Sequence, residues 1–295
     1  MGGDWELIEY VQRVVGYTLT GDVSEEVFWV LYGTGANGKS TFLETIAALL
    51  GEYALASDAS LLLSKKEQGG PSPEVARLCG ARFVSINETP ENDILNEARL
   101  KAVTSNAKIT ARHLHQEFFD FTPTHKTFMA TNHRPVVKGM DDGTWRRIHP
   151  TPFTKRIDNP QRDFRERFLV PELSGILNWA LEGLMNYLRR GLHPPRTVLA
   201  ATEEYRQDMD IVGRWIEECC DLDPAAKEPT RSLYNAFAIW AEHELGWTNL
   251  SSTKFARELS EREFRKEKGT GGVRCTLGLR LKPDTIRQTM MTWGR

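Results

Sequence analysis

The stretch Gly33–Thr41, GTGANGKST, contains residue types whose spacing suits phosphate binding. Glycines at Gly33 and Gly38 let backbone N–H groups turn toward phosphate oxygens, and a following helix would direct its positive end at the same anion. Lys39 would neutralise charge on the β- and γ-phosphates, and the Ser40 hydroxyl suits Mg²⁺. The sequence therefore predicts a nucleoside triphosphate site formed by Gly33, Thr34, Gly35, Ala36, Asn37, Gly38, Lys39, Ser40 and Thr41.

The segments on both sides of this loop fit the strand and the helix that the motif requires. Residues 27–32 form an unbroken apolar run, which is typical of a parallel strand covered on both faces. Apolar residues between Phe42 and Leu50 recur at helical spacing, and Gly51 is a suitable residue to end that helix. A glycine-rich turn without a ligand would not need these flanks, so we favour the phosphate-binding interpretation.

A second predicted strand, residues 82–88, ends in an amide and a carboxylate. In nucleotide hydrolases with this loop, the neighbouring strand carries acidic residues that hold Mg²⁺ and polarise the attacking water. We therefore predict that Glu88 is the water-activating base and that Ser40, Asn87 and Glu88 surround the metal. Asn87 brings no charge, and a solvated strand end is the alternative interpretation of Glu88.

Further polar residues follow a third predicted strand, residues 126–131. Asn132 comes directly after it and is a candidate sensor of the γ-phosphate or the attacking water. Arg146 and Arg147 follow Trp145, and taken alone they favour surface charge stacked on an aromatic ring.

Residues 108–121 have strand-like alternation on each side of a polar, cationic centre, which predicts a hairpin with its tip near Arg112 and His113. His113 and His115 could ligate a metal ion, but no third ligand stands at a recognisable spacing. Polar residues facing solvent are the favoured interpretation.

Five segments in order resemble the motifs of superfamily 3 helicases, and more closely the helicase part of phage and plasmid primase-helicases, which is similar to poxvirus primase-helicases. They are GTGANGKS, ARFVSINETP, LKAVTSNAKITARHLH, FMATNHRP and DDGTWRRIHPTPF, and the resemblance covers residues 17–215. It implies an AAA+-like ATPase that forms a hexameric ring and binds ATP and Mg²⁺ between subunits.

The same resemblance assigns roles to individual residues. Lys39 and Ser40 correspond to the Walker A pair, Glu88 to the Walker B carboxylate and Asn132 to the sensor. Arg146 corresponds to the arginine finger that acts on a neighbour's nucleotide, with Arg147 as second choice. The hairpin matches the pore loop that grips one DNA strand, through Lys108, Arg112, His113 and His115. Asn87 departs from members with two acidic residues there. The given residues before the motifs contain neither a polymerase-like domain nor zinc-ribbon cysteines, so we expect either the helicase part of a longer chain or a stand-alone helicase.

The C-terminal third predicts helices over residues 174–190 and 198–220, a linker at 223–229, and then two helices and a β-hairpin. Helix, helix and hairpin is the order of a winged helix, whose second helix and wing contact DNA. Basic residues on these elements include Lys254, Arg257, Lys266 and Arg274. Interleaved glutamates leave a solvated face of mixed charge as the alternative.

Composition limits the remaining classes. Four cysteines without C-x-x-C spacing favour a reducing compartment and argue against a zinc module. No apolar run is long enough to span a bilayer, so we expect no membrane partner and a cytoplasmic protein, in the cytoplasm of a bacterial host.

We therefore predict an α/β protein with an AAA+-like P-loop NTPase core, helical flanks and a C-terminal winged-helix domain. Its predicted parts are an N-terminal helical segment (1–25), the ATPase core (26–156), a helical segment (157–222) and the winged helix (223–295). The predicted function is a ring-forming, ATP-dependent replicative DNA helicase of a phage or other mobile element, which translocates on single-stranded DNA and unwinds forked duplexes. A primase domain or other replication proteins are the partners that we expect. The alternatives are a DNA-binding initiator whose ATPase controls assembly, and a nucleotide-binding scaffold with slow turnover.

Overall fold

The computed structural model of the protein describes residues 1–63, 73–87, 93–245, 250–269 and 272–285. The chain divides into two compact units, Met1–Arg206 and Gln207–Arg295. Within the described ranges, no helix combines the length and the apolar character that crossing a membrane requires.

The first unit is built on a parallel sheet. Its described strands are β1 (Phe28–Tyr32), β2 (Ala54–Ser57), β3 (Phe83–Asn87), β4 (Ile109–Arg112), β5 (Phe118–Phe121), β6 (Lys126–Thr131) and β7 (Ile148–Pro152). Five of them pair in the order β2-β3-β6-β1-β7, all parallel, whereas β4 and β5 form a separate antiparallel hairpin. The described helices are α1 (Trp5–Thr18), α2 (Lys39–Leu50), α3 (Pro73–Ala76), α4 (Glu97–Thr104), α5 (Asp142–Trp145), α6 (Leu173–Arg190) and α7 (Arg196–Met209), and the last turn of α7 enters the second unit.

The three central strands are the ones predicted from the sequence, and the structure confirms them. Both faces of β1, β3 and β6 are covered, so residues on either face of these strands are buried. Trp29 stacks on Phe128 with ring centroids 4.8 Å apart, and Phe128 in turn contacts Phe83 at 5.0 Å. These contacts join the three strands in their amino-terminal halves.

Two strands of the sheet were not predicted from the sequence. β7 contains Pro150 and Pro152, which cannot donate hydrogen bonds, but β7 pairs with β1 alone and lies at the sheet edge, where proline is tolerated. β2 is short and reads Ala-Leu-Ala-Ser, which has little strand propensity. Both strands therefore form because they pair with a neighbouring strand, not because of their local sequence.

Two predictions for the segment where the second unit begins are wrong. The helix predicted over residues 198–220 breaks at Asp210, whose side chain accepts a hydrogen bond from the Gly213 N–H and caps a new helix, α8 (Ile211–Cys219). The linker predicted at 223–229 belongs to strand β8 (Cys220–Pro229). Pro224 is tolerated because it lies in a bulge where the pairing register shifts. The division of the chain accordingly falls at 206/207 rather than at 222/223.

The second unit continues after β8 with α9 (Thr230–Leu245), α10 (Ser252–Glu261), β9 (Lys266–Lys268) and β10 (Arg274–Leu281). The described strands form an antiparallel sheet in the order β8-β10-β9. Its core is aromatic: Phe255 stacks on Phe237 at 4.9 Å, and Trp215 meets Phe255 edge-on at 5.4 Å. The predicted pair of helices and the following hairpin are confirmed, although residues 270–271 of the hairpin lie outside the described residues.

Acid should destabilise the first unit through buried histidines. Burial lowers the pKa of His149 from 6.5 to about 4, and the ring lies 2.6 Å, Nδ1 to hydroxyl oxygen, from buried Tyr10. Between pH 6.5 and pH 4 the unfolded chain therefore binds a proton that the folded chain does not, so the free energy of unfolding falls with pH. The expected slope is up to about 1.4 kcal/mol per pH unit for one such group.

Urea unfolding at several pH values from 7 to 4.5 measures this slope. In the His149→Gln protein, which keeps a hydrogen-bonding group beside Tyr10, the slope should be smaller than in the wild type. Replacing the exposed His243 by glutamine is the matched control. Equal slopes in the wild type and His149→Gln would contradict the prediction.

Candidate phosphate-binding site

The loop between β1 and α2 requires glycine at two positions. Gly33 has φ +155°, and a Cβ built there would lie 2.3 Å from the carbonyl oxygen of Phe153. Gly38 has φ +85°, a left-handed conformation, and forms the N-cap of α2. The loop can therefore approach the end of β7 closely and turn directly into the helix.

The side chain of Asn37 links this loop to Phe153 and to Lys39 by hydrogen bonds. Its Nδ2 donates to the Phe153 carbonyl oxygen at 2.6 Å, and its Oδ1 accepts from Lys39 Nζ at 3.0 Å. The Ile157 N–H donates to the carbonyl of Ala36 at 2.8 Å. Sequence reasoning included Asn37 as a backbone contributor and missed this role, for which its polar side chain inside the motif was the available signal.

Lys39 is held at the centre of the site by neutral oxygens. Besides Asn37, its Nζ donates to the carbonyl of Gly33 at 2.8 Å and to Asn132 Oδ1 at 3.2 Å. The residue is 6% exposed, and burial lowers the pKa of its ammonium group. Among the described residues no carboxylate neutralises this charge, so the site suits an anionic ligand.

A cavity of about 820 Å³ lies over the loop, within the usual size range of ligand sites. The N-terminus of α2 opens onto it, which favours an anion. Residues from the loop, the helix and the ends of β3 and β6 line the cavity, namely Gly35, Ala36, Asn37, Gly38, Lys39, Ser40, Thr41, Glu44, Asn87, Ala130, Thr131, Asn132 and His133.

The structure thus brings together most residues proposed for nucleotide and metal binding. Ser40, Asn87 and Asn132 share the cavity with Lys39, as expected for the carboxyl ends of adjacent parallel strands. Gly33 and the exposed Thr34 are not among the lining residues, and Glu88 lies outside the described residues. Glu44 was missed, although its place one helical turn after Ser40 is a usable signal.

Arg146 and Arg147 lie beside the amino-terminal end of β1, whereas the phosphate-binding loop follows its carboxyl end. The carbonyl oxygen of Arg147 accepts a hydrogen bond of 2.6 Å from the N–H of Phe28, at the start of β1. The phosphate-binding loop follows the end of the same strand, whose five residues span about 16 Å. Neither arginine lines the cavity of its own chain.

The two arginines have different environments. The Arg147 side chain is 9% exposed and donates both to Glu26 Oε2 at 2.6 Å and to the carbonyl of Gly143 at 2.5 Å. The Arg146 side chain is 66% exposed and donates to the same Glu26 oxygen at 3.0 Å. Arg147 is therefore a buried structural arginine, whereas Arg146 extends into solvent.

The predicted hairpin is confirmed as β4 and β5. In its register Arg112 faces Phe118, and the guanidinium lies 5.0 Å from the ring centroid. His113 stacks on Phe119 with centroids 5.3 Å apart. All four predicted DNA-contacting residues are exposed, namely Lys108, Arg112, His113 and His115. In the described part of the chain, no cluster of three or more potential ligands could hold a metal ion, so His113 and His115 gain no support as ligands.

The basic residues predicted in the second unit lie on α10 and on the β9–β10 pair. Arg257 is exposed and forms an ion pair with Glu261 at 3.3 Å. Lys266 and Arg274 are exposed on the strands, and Lys254 is half-buried. The register pairs Arg274 with Lys268, which concentrates positive charge at that end of the hairpin.

The family models that match fall in both units. Residues 31–147 match a family described as a family of unknown function (DUF5906), and residues 207–281 match a family described as Poxvirus D5 protein-like. The first range contains the phosphate-binding loop and both arginines, and the second contains every described strand of the C-terminal unit.

Similar curated proteins are viral. The chain is 34% identical over 232 residues to "Putative helicase L207/L206" of Acanthamoeba polyphaga mimivirus, which covers 72% of this chain and 24% of that protein. It is 27% identical over 272 residues to "Putative primase C962R" of African swine fever virus (strain Badajoz 1971 Vero-adapted), covering 83% and 28%. The chain therefore spans about a quarter of the length of the curated relatives it matches.

A solved structure shares the fold. The A form apo structure of the NrS-1 C-terminal region aligns with 91% of this chain and 71% of its own length, with a TM-score of 0.50 and 13% identity. The likeness extends over elements of both units.

Proposed function

We propose, from the premise that this chain is a superfamily 3 primase-helicase-like protein, that it forms the ATP- and Mg²⁺-dependent motor of a ring that unwinds DNA. The viral relatives named as putative helicase or primase support a place in the replication of a virus or other mobile element. A primase module or other replication proteins are the partners that this role implies.

The observation that carries this proposal is the position of Arg146. The side chain is exposed near the amino-terminal end of β1, at the far end of the strand from the phosphate-binding loop. It therefore cannot serve the nucleotide of its own subunit. A catalytic site with both groups must take the arginine from a neighbour. Such a contact joins two different surfaces, and its repetition closes into a ring when the rotation allows it. The number of six subunits is the one that the resemblance to superfamily 3 helicases implies.

The residues present fit ATP and Mg²⁺. The charge of Lys39, which no carboxylate of the described residues neutralises, and the loop at Gly33, which a Cβ would obstruct, suit a triphosphate. Ser40 and Asn87, with Glu88, would hold the metal, which supplies neutralisation of phosphate charge. Asn132 would orient the attacking water, Glu88 would accept its proton, and the neighbour's Arg146 would stabilise charge that develops in the transition state.

The hairpin supplies a surface for single-stranded DNA. Arg112 provides positive charge for the phosphate backbone, and the exposed ring of Phe118 offers a face on which a base can stack. In the second unit, the order α8-β8-α9-α10-β9-β10 with a three-stranded sheet supports a winged helix that contacts forked DNA through α10 and the β9–β10 pair.

Strand displacement on a forked duplex tests this function. We expect ATP-dependent unwinding, and about a tenfold loss or more in Arg112→Ala, while hydrolysis without DNA persists. Arg112→Ala should also reduce the slope of log affinity against log salt by about one. Arg189→Ala, which removes an exposed arginine on α6, is the control. ATP-dependent DNA binding and hydrolysis without any displacement would indicate an assembly-controlling initiator instead.

A further inference from the structure

The carboxylate of Glu26 joins the two arginines near the amino-terminal end of β1. Oε2 of Glu26 accepts from Nη2 of Arg146 at 3.0 Å and from Nη2 of Arg147 at 2.6 Å. Phe28 and Ile148 are partners in the pairing of β1 with β7, so the residues just before these strands are neighbours. The three charged side chains therefore form one cluster at the amino-terminal ends of β1 and β7, and Arg146 extends from this cluster into solvent.

The cluster is anchored from its buried side. Arg147 is 9% exposed and is also bonded to Gly143, whereas the side chains of Glu26 and Arg146 are 23% and 66% exposed. Solvent screens the outer ion pair more than the inner one. Glu26 is therefore held mainly by Arg147, and it keeps the more exposed Arg146 bonded on its outer side.

The backbone of Glu26 also has an unusual conformation. Its φ is +53°, in the left-handed region, and its N–H closes a turn onto the carbonyl of Val23 at 3.1 Å. Residues other than glycine rarely adopt this region, and such conformations persist where surrounding contacts hold them. A glycine would relieve the backbone but would supply no carboxylate to the arginines.

We infer that Glu26 is a positioning residue for Arg146, and that it orients the guanidinium toward the nucleotide of the neighbouring subunit. This inference rests on the proposed function, because it needs the arginine to act in trans. A single hydrogen bond to Glu26 leaves the other donors of the guanidinium available for phosphate oxygens. Holding the long side chain in advance reduces the entropy lost when the transition state forms.

The Glu26→Gln protein tests this role because it keeps the size of the side chain and removes its charge. We expect kcat for ATP hydrolysis to fall about tenfold while KM for ATP changes by less than about threefold, since an arginine finger acts mainly in the transition state. Glu25→Gln, which removes the adjacent carboxylate, is the matched control and should retain wild-type kcat. A wild-type kcat in Glu26→Gln would overturn the inference.

Mixed rings separate positioning from a defect in folding. In rings of Glu26→Gln and Lys39→Ala subunits, an intact nucleotide site beside a Lys39→Ala subunit receives an Arg146 held by a normal Glu26. Activity per intact site should therefore recover toward the wild-type value. A defect confined to the variant's own site would not recover, and that result would overturn the inference.

A parallel mixture of Arg146→Ala with Lys39→Ala distinguishes the two levels of failure. Recovery there, without recovery in the Glu26→Gln mixture, would reject Glu26 alone. Failure of both mixtures in verified mixed rings would reject the trans arrangement itself. If Glu26→Gln does not fold, Glu26→Asp, which keeps the charge and shortens its reach, is judged in the same mixtures by the same criteria.

Discussion

The Arg146→Ala protein is expected to hydrolyse ATP about 1,000-fold more slowly than the wild type, or slower still, and to unfold at the same temperature. The size of the effect is that of removing an arginine finger from a phosphoryl-transfer site. Stability should be unchanged because the side chain is 66% exposed and forms a solvent-screened ion pair. Steady-state hydrolysis by assembled protein and thermal unfolding measure the two quantities.

Arg147→Ala is the matched comparison and should show the opposite pattern. Its loss removes the bonds of this buried side chain to Glu26 and Gly143, which should lower the free energy of unfolding by about 1–3 kcal/mol. If Arg147→Ala abolished hydrolysis without loss of stability while Arg146→Ala was fully active, the assignment of the two arginines would be reversed.

Lys39→Ala should lower kcat/KM for ATP by about 100- to 1,000-fold, as expected when one charged donor is removed from a preorganised site. Without the ammonium group, oxygens of Gly33, Asn37 and Asn132 would remain directed at the cavity and would repel phosphate. The fold should not weaken, since burial of the lysine charge is itself unfavourable.

Nucleotide binding, hydrolysis and unfolding temperature of Lys39→Ala provide the test. Lys101→Ala is the control, because Lys101 lies on α4 and pairs with Asp141 at 2.6 Å, away from the cavity residues. A hydrolysis rate in Lys39→Ala equal to that of the wild type would exclude the loop as the catalytic site.

The central part of the fold could be predicted because its signals are local. Runs rich in apolar and β-prone residues identify β1, β3 and β6, and the glycine and lysine spacing identifies the loop and the start of α2. β7 and β8 could not be recognised in this way, since the prolines at 150, 152 and 224 normally argue against a strand. An edge position and a bulge remove the need for their missing N–H groups, and both depend on pairing with distant residues.

In the candidate site, too, some contacts could be predicted from the sequence and others could not. The meeting of Lys39 with Asn132 follows from the rule that parallel strands end at one edge, so sequence order was sufficient to predict it. The contacts of Asn37 with Phe153, and of Glu26 with Arg146, join segments more than 100 residues apart. No local pattern distinguishes Glu26 from its neighbour Glu25, so only the folded chain identifies it.

Strand β1 has a consequence for cooperativity. It starts two residues after Glu26 and ends directly before Gly33, so one stiff segment connects the residue that holds Arg146 with the loop that holds Lys39. In a closed ring, each subunit would then place one such segment between two successive nucleotides. A displacement of Arg146 toward a newly bound phosphate would be transmitted through Glu26 and along β1 to the next loop. We therefore expect hydrolysis to proceed sequentially around the ring rather than at random sites.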